Sequence, residues 1–134
     1  MLDRVSSAAS AVVLIVEDEP LLREIVAEFV EDAGFVALQA GNADEAVALL
    51  EARSDIAALF TDINMPGSMD GLELTHVVCD RWPPVRILVA SGQVRLQKSD
   101  LPPNSVFLPK PYRGEAVIAQ LRSLVGCAVL QTQT

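Results

Sequence analysis

"LFTDINMPGSMDG" (residues 59–71) carries an apolar run into Asp62 and then breaks it with Asn64 and a Met65-Pro66-Gly67 turn. A carboxylate at the end of a buried strand is costly unless something nearby uses its charge. The full run, "IAALFTD" (56–62), reads as a buried strand, and four other runs read the same way. "AVVLIV" (11–16) ends on Glu17, Asp18 and Glu19, "VRILVAS" (85–91) on Ser91 and "SVFLPK" (105–110) on Lys110. "FVALQA" (35–40) completes the set.

Helical periodicity fills the intervals. From Pro20, "LLREIVAEFVEDAG" puts Leu21, Leu22, Ile25, Val26, Phe29 and Val30 on one predicted face, with Gly34 as a stop. Asn42 is expected to cap "ADEAVALLEA", with Glu45 three residues on. "GLELTHVVCDRW" is expected to end at Pro83-Pro84, and Pro111 to open a last helix with Val117, Ile118, Leu121, Leu124 and Val125 inward. Strands alternating with helices imply an α/β fold: a doubly wound five-stranded parallel sheet with helices on both faces and right-handed crossovers. The composition agrees, since 51% of residues are hydrophobic and only 4% aromatic, which suits an aliphatic core. The expected division is a flexible leader at 1–10, one domain at 11–126 and a short C-terminal tail at 127–134.

The net charge of −8 argues against a nucleic-acid grip, which needs a basic surface. No apolar run approaches a membrane span of about 20 residues, and Cys79 and Cys127 lack metal-ligand spacing. A cytoplasmic protein is expected. His76, the only histidine, reads as a helix-surface residue rather than a relay histidine.

In a parallel sheet of this kind, ligands sit at the carboxyl ends of the strands. Glu17, Asp18, Asp62, Ser91 and Lys110 all fall there. Three converging carboxylates repel one another, and a hard divalent cation resolves the conflict. Mg²⁺ is the expected cofactor, with Lys110 and Ser91 placed to meet phosphate oxygens. Asp62 is the best-placed nucleophile for an aspartyl phosphate.

"VVLIVEDEP", "LFTDINMPG", "LVASG" and "LPKPY" together resemble the four signatures of the response-regulator receiver domain of two-component signalling, over about residues 11–126. The resemblance implies a flavodoxin-like fold with strand order 2-1-3-4-5. It implies Asp62 as phosphoacceptor, and Glu17, Asp18, Asp62 and the Asn64 backbone carbonyl as metal ligands. It implies Ser91 and Phe107 as switch residues, Lys110 as the catalytic lysine and a cis Lys110–Pro111 bond. The implied donor is a histidine kinase or histidine phosphotransfer protein, with the signal leaving by protein contact from a monomer or weak dimer that carries no output domain. Glu17 departs from the commoner Asp, and residues 92–104, broken by Pro102-Pro103, predict a short or irregular fourth helix. Two other classes fit some residues: an aspartyl-nucleophile Mg²⁺ phosphatase, for which Asn64 is the wrong residue, and a degenerate receiver that only binds.

Overall fold

Val13, Leu14, Ile15 and Val16 are all at most 1% exposed, because their strand is covered on both faces. That strand, β1 (Val12–Val16), lies inside a five-stranded parallel sheet with β2 (Val36–Ala40), β3 (Ile56–Asp62), β4 (Arg86–Ser91) and β5 (Val106–Pro109). The order is β2-β1-β3-β4-β5, as expected. The computed structural model describes residues 11–65, 69–92, 100–103 and 105–133, with side chains through residue 126. The leader, Pro66, Gly67 and most of the expected short fourth helix (93–99 and 104) lie outside the described residues. Residues 100–103 contain no α-helix.

Four helices cover the sheet among the described residues: α1 (Pro20–Asp32), α2 (Ala43–Ala52), α3 (Gly71–Arg81) and α4 (Gly114–Gln133). Helices α2 and α3 pack Ala46, Leu50, Leu74 and Val78 against Leu14, Leu59 and Val89 on one face. On the other, α1 and α4 pack Val26, Val30, Val117 and Leu121 against Ile15, Phe60 and Leu88. Successive strand residues alternate between these cores, as the pleat requires.

The sequence reading of α1 needs correction. Of the expected face, Val26 and Val30 are buried as read, but Leu21 and Ile25 are 69% and 50% exposed, and Ala27, not expected there, is buried. At about 100° per residue, Leu21 and Ile25 fall well round the helix from Val26. Pro111 does not open the last helix either, since α4 starts at Gly114. That helix continues through Gln133 over the residues expected as a tail, no proline intervening.

Local chemistry explains the helix starts. The Asn42 side chain accepts the Glu45 N–H at 2.9 Å, and Glu45 reaches back to the Gly41 N–H at 2.7 Å. Asp70 and Glu73 form a reciprocal capping box at the head of α3. Directly after it, Gly71 donates to the Ile63 carbonyl at 2.8 Å. A Cβ at Gly71 would fall on the Asp62 carbonyl oxygen and lie 2.7 Å from its carbonyl carbon. Only glycine lets α3 sit so close to the end of β3.

Gly71→Ala is therefore expected to lower stability by about 1–3 kcal/mol through backbone displacement. Removing the neighbouring cap with Asp70→Ala should cost only about 1 kcal/mol. Urea unfolding of both variants checks the ranking, and a neutral Gly71→Ala would contradict it.

Candidate functional site

Each expected polar residue emerges where a strand ends. The Glu17 N–H donates to the Ala40 carbonyl of β2 at 3.1 Å, which carries the ladder one residue past β1. Arg23 of α1 holds the Glu17 carbonyl through Nη1 at 2.9 Å and Gln39 Oε1 through Nε at 3.2 Å. The Glu17 carboxylate turns inward, accepting the Glu19 N–H at 3.1 Å, while Asp18 is exposed. Asp62, the last residue of β3, is only 8% exposed. Its Oδ1 accepts the Asn64 N–H at 3.2 Å, and its Oδ2 accepts from Lys110 Nζ at 2.7 Å. Lys110 is fixed in turn by donating its N–H to the Ser91 carbonyl at 3.0 Å, and the Lys110–Pro111 bond is cis. Ser91 is 1% exposed at the end of β4.

Glu17, Asp18 and Asp62 each offer a carboxylate oxygen within 4.8 Å of the others. One lysine against three carboxylates leaves the cluster negative. Glu17 consequently holds its proton to higher pH: its pKa rises from 4.5 to about 7. Burial is the main cause; the Glu19 N–H opposes it, the Asp18 hydrogen bond and the Asp62 charge reinforce it, and Lys110 again opposes. An all-oxygen donor set with excess negative charge is what a hard divalent cation requires, so these residues fit Mg²⁺.

Beneath the acids lies Tyr112, edge-on to Phe60 with ring centroids 5.7 Å apart. With Ile15, Val26 and Ala90 it lines a cavity of about 10 Å³ that reaches Glu17, Asp62 and Lys110. That volume is at the threshold for one water. Burial pushes the Tyr112 phenol up to about 12, with Glu17 and Asp62 adding to the shift, so it stays protonated.

The structure thus brings Glu17, Asp18, Asp62 and Lys110 together, with Ser91 on the adjoining strand end. Asn64 is exposed and meets Asp62 through its backbone N–H. Phe107 stands apart, 37% exposed on β5 and paired in register with Val89. His76 is exposed on α3, its Nε2 2.8 Å from the Asp100 carbonyl. Sequence reasoning missed Arg23, Gly71 and the enclosing role of Tyr112. The last two left a signal, a glycine directly after a capping Asp and an aromatic two residues past Lys110. A helix-surface arginine leaves none.

Residues 13–122 match the family model described as "Response regulator receiver domain". The chain is 38% identical over 86 residues to the nitrogen assimilation regulatory protein NtrX of Azorhizobium caulinodans, covering 63% of this chain and 19% of that protein. It superposes on a response regulator receiver protein of Sinorhizobium medicae with a TM-score of 0.82 at 25% identity, covering 89% of this chain and 97% of that one. It also resembles the response regulator protein TrrA of Thermotoga maritima, solved in complex with Mg²⁺-BeF, with a TM-score of 0.73 at 21% identity over 84% of this chain and 97% of that one. The chain spans 24%, 19% and 45% of three curated relatives it matches, less than half of each. With its acidic pair, Asp62, Ser91 and Lys110 on successive strand ends, the chain belongs to the response regulator receiver domain family of two-component signalling.

Proposed function

We propose that Asp62 accepts a phosphoryl group from a phosphohistidine, carried by a histidine kinase or a histidine phosphotransfer protein. The observation that supports this most is the Lys110 Nζ–Asp62 Oδ2 pair at 2.7 Å, set beside two further carboxylates within 4.8 Å. In the transfer an Asp62 carboxylate oxygen forms the new P–O bond, and the P–N bond to the imidazole breaks. Lys110 sits on a flexible stem and can follow the negative charge from the carboxylate onto a phosphoryl oxygen. The Ser91 hydroxyl can donate to a second oxygen. Glu17, Asp18, Asp62 and the Asn64 carbonyl would hold Mg²⁺, which neutralises charge developing on the phosphoryl oxygens.

Phosphorylation then acts as a switch. The added charge draws Ser91 inward and lets the exposed Phe107 rotate, altering a face that another protein surface can read. The phosphate shifts this balance only by binding the active form better than the inactive one. On the input side, Leu21 and Ile25 lie on α1 just past the acidic turn and offer an apolar landing for the donor. Among the described residues no helix is long and apolar enough to cross a membrane. The free, half-buried Cys79 fits a reducing cytoplasm.

Incubation with acetyl phosphate and Mg²⁺ should yield a single phosphate adduct by intact mass, lost on adding a chelator and in Asp62→Asn. An adduct that survives in Asp62→Asn would remove the assignment.

The raised Glu17 pKa gives a second expectation, for the metal-free protein. A carboxyl whose folded pKa lies above its unfolded one contributes stability that is full below pH 4.5 and is lost as pH rises through about 7. Melting temperature measured without metal should fall over that window, and Glu17→Gln should flatten the slope. Mg²⁺ needs the ionised group, so its stabilising effect should grow as pH rises past about 7. An unchanged slope in Glu17→Gln would locate the titration elsewhere.

A further inference from the structure

Strand β2 ends at Ala40, and the Glu17 N–H takes the last rung beside it by donating to the Ala40 carbonyl at 3.1 Å. The next amide of that strand, at Gly41, has already turned away to the Glu45 carboxylate at 2.7 Å. The Glu17 carbonyl lies one step past the ladder, and a side chain supplies its donor: Arg23 Nη1 at 2.9 Å. The same guanidinium is anchored on β2, where its Nε donates to Gln39 Oε1 at 3.2 Å. Gly41 leaves it room, since a Cβ there would come within 3.3 Å of Nη1. The backbone of Arg23 grips the other end of the acidic turn, its N–H donating to the Glu19 carbonyl at 2.9 Å. One residue thus holds the turn of residues 17–19 at both ends.

Charge neutralisation is not what the guanidinium contributes. Arg23 sits half-buried near the start of α1, close to three clustered carboxylates, yet no ion pair among the described residues engages it. Its donors go to a neutral carbonyl and a neutral amide instead. What it governs is geometry. The Glu17 carbonyl shares a peptide plane with the Asp18 N–H and Cα, so fixing the carbonyl fixes where Asp18 begins. Asp18 is exposed and lies outside β1, which leaves that peptide to position its carboxylate. Mg²⁺ demands near-ideal octahedral geometry, so a displaced carboxylate costs affinity directly. The positive charge of Arg23 acts the other way, since a guanidinium beside the cluster repels a divalent cation.

We infer that Arg23 is a positioning residue for the divalent cation: anchored on Gln39, it holds the Glu17–Asp18 peptide so that both carboxylates can share one ion with Asp62. That role rests on the reading of Glu17, Asp18 and Asp62 as a Mg²⁺ site. The melting temperature of the full chain across a MgCl₂ series at constant ionic strength gives the Mg²⁺ dissociation constant. Arg23→Ala should raise that constant by about tenfold, as removal of a group that orients a metal ligand does. Charge alone predicts the opposite sign, tighter binding. A merely structural role predicts a lower metal-free melting temperature with the constant unchanged. Gln39→Ala removes an exposed side chain without altering the net charge, and it should weaken Mg²⁺ binding in the same direction by less. The double variant should bind no more weakly than Arg23→Ala, because both changes act through the same arm. Unchanged or tighter binding in Arg23→Ala, beside a wild-type chain that responds to Mg²⁺, would overturn the role of Arg23 alone. A wild-type melting temperature indifferent to Mg²⁺ would overturn it together with the metal site.

Discussion

The ion pair between Lys110 and Asp62 holds together a site that electrostatics would otherwise force apart. Two of its three carboxylates, Glu17 and Asp62, are under 10% exposed, and like charges so placed resist ionising together. Lys110 answers one of them at 2.7 Å. Burial and the neighbouring acids push the Glu17 carboxyl up to about 7, so it gives up its proton less readily than an exposed Glu. The excess that remains points outward through exposed Asp18, toward the side from which a cation and a phosphoryl group would come. The resting site is therefore short of positive charge, which fits it for a metal ion.

Such a cluster needs a rigid frame, and the frame is the sheet itself carried one rung further. Glu17 N–H to Ala40, Ile63 N–H to Ala90 and Lys110 N–H to Ser91 extend the parallel ladder past the ends of β1, β3 and β5. The clustered polar side chains stand at or beside these last rungs rather than on free loops, so their spacing is inherited from the strand spacing. From the other side Gly71 presses the head of α3 against the Asp62 carbonyl, and Arg23 pins the Glu17 carbonyl. These contacts fix the backbone, leaving the side chains to move.

The strands and the residues at their ends were legible in the sequence because each announces itself locally: an aliphatic run, then a polar residue. Burial on both faces makes such runs continuous, and the strand order followed from the family resemblance. The face of α1 was not legible in the same way. Leu21 and Ile25 satisfy a hydrophobic count, yet periodicity cannot say where the edge of a buried stripe falls when alanine at position 27 takes part in the core. Arg23, Gly71 and Tyr112 act through tertiary approach, to Glu17, Asp62 and Phe60 respectively, and no spacing along the chain encodes those distances.

The register of β5 connects the chemistry to a distant surface. Lys110 follows the strand directly, and Phe107 lies three residues earlier, on the opposite side of the pleat from buried Leu108. Val89 pairs with Phe107 and Ser91 with Pro109, so the strand carrying the Ser91 hydroxyl runs beside the one carrying the aromatic ring. A charge at Asp62 that pulled on Lys110 and Ser91 together would act on both strands at their carboxyl ends. Because β5 is an edge strand and, at four residues, the shortest of the sheet, it has the least pairing to resist displacement. The α1–α4 face packs on a continuous core that runs from Val13 and Ile15 through Phe60 and Leu88 to Leu108. In the proposed switch, readout would therefore fall on the short β5 edge, beside the acidic rim.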